Sequence, residues 1–214
     1  MKKLCITLLC LVCVCSVAAQ EKHIFGLRAG LNVANLTMKM DDVSQTADSR
    51  TSFHVGGSYQ YGFSQKLPFY LETGLYLSSR GSKNKEDGET TKLSLLYLQV
   101  PVLLSYHINI GKTVNIQPYA GVYYGYGISG KAKIKSDGVS TSHSVFKDVT
   151  VDGHTVDQIL KRSDLGLRFG AGVGFLKHYY AGLGYDLGLT NINATSDDDK
   201  VSNGCFYISV GYTF

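Results

Sequence analysis

Four ionisable side chains sit at alternate positions of otherwise apolar or glycine-rich stretches. They are Arg28, Glu72, Arg168 and Asp186, with Gln99, Tyr70, Tyr119 and Tyr123 in the same phase. Charges withdrawn from water must pair or be solvated. The set Arg28, Glu72, Gln99, Arg168 and Asp186 therefore reads as an ion-pair network that fills an interior and fixes strand register. The same groups could instead line a path for an ion or a solute.

Other candidate groups are more ambiguous. Gly125-Tyr126-Gly127-Ile128-Ser129-Gly130 has the spacing of a dinucleotide-binding glycine pattern. That pattern has force only between a strand and a helix of a βαβ unit, and here a lysine-rich run follows. Ser142-His143-Ser144, and His154 with Asp152 and Asp157, could supply a nucleophile, a base and an orienting group. A polar loop would contain such residues in any case. His143 and His154 lack the spacing of a metal motif. Asp197-Asp198-Asp199 could attract a divalent cation or form a solvated tip. No cofactor and no metal site is expected.

The elements that must position these residues have a period of two. In Leu165-Gly166-Leu167-Arg168-Phe169-Gly170-Ala171-Gly172-Val173-Gly174-Phe175 the odd positions are apolar and the even ones glycine or arginine. Such alternation means an extended strand with one apolar face. Glycine and charge on the other face suit the crowded polar inside of a small barrel whose apolar face meets lipid. Eight such strands are predicted: 24–36, 52–63, 68–79, 92–107, 114–128, 164–175, 179–190 and 204–214. The fold class is thus all-β, an eight-stranded antiparallel transmembrane β-barrel.

The connections alternate long and short, beginning with the long 37–51 and ending with the long 191–203; the longest is 129–163. Outer-membrane barrels place long loops outside and short turns in the periplasm, which puts both termini on the periplasmic side. An eight-stranded interior is just wide enough for side chains, so inward glycines relieve crowding. Two residues fit badly. Leu103 would face inward, and Pro101 cannot donate a ladder bond, so a bulge or local gap is expected there. The stretch Val145–Leu160 could hold a short strand or a helix. Lys131-Ala132-Lys133-Ile134-Lys135 would meet anionic lipid phosphates if it lies at headgroup level, or continues a strand into solvent.

Residues 1–19 read as a signal peptide: Lys2 and Lys3, an apolar middle from Leu4 to Val14, and Val17-Ala18-Ala19 before Gln20. Residues 20–214 then form one outer-membrane β-barrel domain. Removing the leader takes four of the five cysteines and leaves Cys205 as a packing residue. It also lowers the formal net charge from +4 to +2, because only Lys2 and Lys3 are charged there. That balance gives no case for nucleic acid. The 15 Tyr, 9 Phe and absence of Trp supply amphipathic rings for the headgroup level.

Tyr97-Leu98-Gln99-Val100-Pro101-Val102-Leu103-Leu104 resembles a strand of the PorT-like outer-membrane β-barrel protein family of Bacteroidetes, and Leu165–Phe175 resembles a later one. The resemblance implies a barrel in the bacterial outer membrane, inserted through its last strand by barrel-assembly machinery that reads the aromatic ending Tyr212-Thr213-Phe214. It supplies no catalytic motif to carry over. The family's namesake takes part in protein secretion. Three functions stay open at this point: a structural or interaction barrel acting through its outer loops, an accessory component of a secretion or envelope-assembly machine, and a lipid-modifying outer-membrane enzyme. The expected partners are outer-membrane lipid, lipopolysaccharide and envelope proteins.

Overall fold

The computed structural model describes residues 23–40, 43–46, 48–63, 67–86, 89–136, 139–146, 149–151, 154–156, 158–194 and 199–214. The segment read as a signal peptide lies outside them. Eight long strands carry the fold: β1 His23–Met40, β2 Arg50–Gly62, β3 Phe69–Arg80, β4 Glu89–Tyr106, β5 Val114–Ser136, β6 Ser163–Phe175, β7 Tyr179–Gly188 and β8 Lys200–Thr213.

Each strand pairs antiparallel with its sequence neighbours, and β1 closes on β8 from Gly26↔Thr213 to Lys39↔Lys200. The result is a closed eight-stranded antiparallel barrel. Closure leaves the spanning sheet without an open edge, the condition for a sheet to cross hydrocarbon. Short strands lengthen several hairpins: Val43–Thr46 pairs with β1, Lys83–Glu86 with β4, Ile108–Ile110 and Val139–Ser144 with β5. The connection after Phe175 is tight, with Leu176 and Lys177 both left-handed at φ 52° and 67°.

The faces segregate. Leu31, Leu183, Ile208 and Val210 are each more than half exposed on the outside, while Tyr123, Gln99 and Ser105 inside are 0–1% exposed. A continuous belt of exposed aliphatic side chains is intolerable in water and natural in lipid. Aromatic pairs edge the turn end, including Phe69 with Tyr106 and Tyr212 with Phe214.

The misfits of the sequence have local consequences. Leu103 does face inward and is buried. On the β3–β4 ladder, pairing stops after Thr73↔Val102 and resumes at Tyr76↔Gln99, leaving Gly74 and Leu75 unpaired beside Val100 and Pro101. Thr73 Oγ1 donates to the Pro101 carbonyl at 2.8 Å and bridges the edge of that gap. A register shift lies four residues upstream, between Leu96 and Tyr97, opposite Gly127–Ser129 of β5. β5 also runs through the basic stretch to Ser136, so Lys131 and Lys133 belong to a strand rather than to a loop. Val149–Val151 pairs with His154–Val156, which resolves the choice within 145–160 in favour of short strands.

Leu183 stands between Ala171 and Ile208 in the middle of the lipid belt. Leu183→Arg is expected to cost about 2–4 kcal/mol, the cost of a cation at the bilayer midplane. Thr141→Arg, on the exposed outer hairpin, should cost less than about 0.5 kcal/mol. Urea midpoints of refolding into lipid vesicles, read by gel mobility, compare the two; equal midpoints would reverse the assignment of faces.

Candidate functional site

Inside the barrel, buried polar groups stack in layers from the turn end to the loop end. In the lowest, Arg28 from β1 makes a two-pronged ion pair with Glu72 from β3, its second contact Nη2 to Oε2 at 3.3 Å. Gln60 stands directly opposite Glu72 in the β2–β3 register and donates to its Oε2 at 2.7 Å. The Arg28 guanidinium lies 3.9 Å over the ring of Tyr180. Above this, His54 bridges the strands: Nδ1 donates to Asn32 Oδ1 at 2.8 Å and Nε2 accepts from the Ser209 hydroxyl at 2.7 Å, so one neutral tautomer satisfies both ring nitrogens.

The next layer centres on Asp186. Arg168, its direct cross-strand partner, reaches it through Nε at 2.6 Å and Nη2 at 2.7 Å. Arg80 reaches the same carboxylate from β3. Gln99 donates to Asp186 at 3.1 Å and accepts from Arg168 at 2.9 Å. A second carboxylate, Asp164, takes Arg80 Nη1 at 3.3 Å, the Tyr123 hydroxyl at 3.2 Å and Asn203 at 2.9 Å. Three arginines thus face three carboxylates in these two layers.

Of the residues singled out in the sequence, the structure brings Gln99, Arg168 and Asp186 into one cluster and Arg28 and Glu72 into another. Tyr123 joins the upper cluster, and Tyr119 shares a hydroxyl contact with Tyr207 at 3.0 Å. Tyr70 joins neither; it stacks on His107 at the turn end, ring centres 3.9 Å apart. The sequence reading missed Arg80, which it placed at the start of a loop. Arg80 is instead the last residue of β3, with a wholly buried guanidinium. The signal was available: Arg80 is in phase with Glu72, and Asp164 with Arg168. Tyr180 and Tyr207 were missed as well.

Glycines accommodate these side chains. A Cβ on Gly166 would lie 2.6 Å from the Tyr123 ring, and one on Gly172 would lie 2.3 Å from Tyr180. Interlocking leaves a cavity of about 20 Å³ among Arg28, Glu72, Tyr76, Gln99 and Arg168, room for roughly one water. Above Asp186 the packing turns apolar: Leu36, Leu95, Tyr97, Val145, Phe146, Leu160 and Ile192 form one buried cluster. The backbone ties the loops into it, with Leu160 N–H donating to Val145 O at 3.0 Å and Ile192 N–H to Val201 O at 2.9 Å. Arg162 clamps the Gly127 and Phe146 carbonyls at 2.9 and 2.8 Å.

The loop candidates do not converge among the described residues. Ser142 and His143 are exposed on the strand that pairs with β5. Asp152, Asp157, Asp197 and Asp198 lie outside the described residues, as does the side chain of His154. Gly125–Gly130 lies within β5 and opens no helix.

Asp186→Ala would leave Arg168 without its carboxylate and Arg80 with Asp164 alone, two buried guanidinium groups against one counter-charge. The expected loss is about 3–5 kcal/mol, the penalty for breaking a buried pair from one side. Lys133→Ala, on the exposed strand extension, should cost less than about 0.5 kcal/mol. The same urea midpoints measure both, and an unchanged Asp186→Ala midpoint would deny the cluster a structural role.

Solved structures similar to this chain include Ail, the attachment invasion locus protein of Yersinia pestis, at 18% identity over 90% of this chain and 99% of that one, TM-score 0.46. OprG from Pseudomonas aeruginosa matches at 14% identity over 90% and 96%, TM-score 0.49. Neisserial surface protein A matches at 16% identity over 89% and 97%, TM-score 0.41. No curated protein sequence matches. Residues 6–214 match the profile of the outer membrane protein beta-barrel domain, so the chain, closed barrel and lipid belt together, belongs to that family of bacterial outer-membrane proteins.

Proposed function

We propose that the protein is a plugged barrel that works through its outer surface, holding or contacting envelope partners, rather than by passing solutes. The observation that carries this reading is the middle of the lumen, where ion pairs and interlocked tyrosines surround a cavity of about 20 Å³ among Arg28, Glu72, Tyr76, Gln99 and Arg168. An aqueous pore needs a far wider barrel. The exposed hairpin of β5 with Val139–Ser144 offers Lys131, Lys133 and His143 at the outer rim, a basic surface suited to lipopolysaccharide phosphates. Tyr212, stacked near His178 and Phe214 at the end of β8, suits the aromatic ending read by barrel-assembly machinery.

A second form of the same role is an accessory part of a protein-secretion or envelope-assembly machine. The resemblance of Tyr97–Leu104 and Leu165–Phe175 to PorT-like proteins of Bacteroidetes favours it. A lipid-modifying enzyme has less support, because Ser142 and His143 have no described orienting group beside them, and the lumenal carboxylates are engaged by arginines.

Photo-cross-linkers at Ser142 and at Leu183 test the proposal in whole cells. Ser142 is expected to capture lipopolysaccharide or a defined envelope protein, and Leu183 lipid alone. The purified barrel should show no open-channel current in planar bilayers. Steady ion conductance, or no specific product from Ser142, would overturn the proposal.

A further inference from the structure

The inward face changes character toward the loop end. On β1 it passes from Arg28 and Asn32 to Leu36, and on β4 from Gln99 to Leu95 and Leu93. On β8, Tyr207 gives way to Val201. Lumens of outer-membrane barrels are ordinarily polar, so this apolar stretch needs a cause. The irregularity between Leu96 and Tyr97 is part of it. Up to Gly127 the odd-numbered residues of β5 face inward; beyond the shift Gly130 is buried and Ala132 half-buried, while Lys131 and Lys133 are exposed. Unbroken alternation would have aimed those lysines into the barrel. The shift exchanges them for a glycine and an alanine.

The space so cleared is a cup of about 390 Å³ at the outer mouth, walled by Leu36, Leu93, Ala132, Val145, Leu160 and Val201. Its size is that of a small-molecule site. Ser82, Asn84 and Thr91 supply a neutral polar rim, and no charged side chain is among the described lining residues. The floor is sealed by Leu95, Tyr97 and Ile192, each 0–1% exposed, and below them lies the Asp186 cluster.

We infer that this cup binds a small, uncharged, predominantly apolar molecule from the outer side, an aromatic or short aliphatic compound with at most a neutral polar end. Apolar walls favour apolar contents and leave a buried anion without a partner. The sealed floor makes the cup a place of binding and not an entrance. The inference is independent of the partner reading, since a barrel that captures no envelope protein would still carry the cup.

The test uses the barrel of residues 20–214 in lipid nanodiscs, with Leu, Ile and Val methyls labelled for NMR. Fluorobenzene is the probe and 4-fluorobenzoate its charged counterpart. Fluorobenzene should shift the methyls of Leu93, Val145 and Val201 saturably, while those of Leu183 and Ile208 drift only in proportion to partitioning into lipid. The benzoate should give no saturable shift. Two fillings of the cup, Ala132→Phe and separately Val201→Phe, should each weaken fluorobenzene binding by about tenfold or more. Three results would each overturn the inference: cup methyls that move no more than lipid-facing ones, benzoate that binds as well as fluorobenzene, and filled variants that bind like the parent. The titration of the unsubstituted barrel decides the first two even if a filled variant does not fold.

Discussion

Closing β1 on β8 removes the free edges of the spanning sheet, and the remaining structure depends on what that closure leaves room for inside. A spanning sheet with an open edge would present unpaired amide and carbonyl groups to hydrocarbon at several kcal/mol each. With eight strands the enclosed space is narrow. Many inward positions are then glycines, rings that lie across a neighbour's glycine, or polar and charged groups with a partner within reach. The Tyr123 ring over Gly166 and the Tyr180 ring over Gly172 show the second solution. Asp186 between Arg80 and Arg168 shows the third.

The same constraint ties the lumen to the register. Arg168 and Asp186 are direct partners across β6 and β7, as are Gln60 and Glu72 across β2 and β3. A slip of one residue would turn Arg168 or Asp186 into lipid and bring Leu167 or Leu187 inside. Lipid-facing leucines are interchangeable in energy and cannot by themselves choose one register. The charged cluster can, because only one alignment satisfies three arginines with three carboxylates. Its contribution is to specificity of pairing at least as much as to net stability.

Much of this was legible in the chain. Strict alternation in Leu165–Phe175 marks a strand, its phase marks the faces, and the rhythm of long and short connections marks the barrel. What escaped the sequence came from strand ends and irregular pairing. Arg80 lies where apolar alternation gives way to a polar run, so composition suggested a loop although phase with Glu72 suggested the lumen. The proline at 101 signalled an interrupted ladder, and the gap is on its β3 side. The register shift opposite Leu96 and Tyr97 lies on β5 between Gly127 and Ser129, and glycine is too frequent along that strand to single out the place. Lys131–Lys135 was ambiguous as a result. Without knowing the shift, alternation cannot tell which of Ala132 and Lys133 faces inward.

That shift also explains how one narrow tube holds two unlike environments. Below it the interior is ionic and closed by charge pairing; above it the interior is apolar and closed by Leu36, Tyr97, Phe146 and Ile192. Had β5 kept its phase, Lys131 and Lys133 would have extended the ionic layer to the mouth, where no described acidic residue among the lining groups could balance them. Moving them to the outer surface leaves both exposed, where their charge needs no buried counter-ion. It also leaves the inner wall free to gather hydrocarbon side chains from β1, β4, β8 and the folded-in loop. A single irregularity in one ladder thus sets the charge of the rim and completes an apolar mouth that β1, β4 and β8 supply by their own sequence.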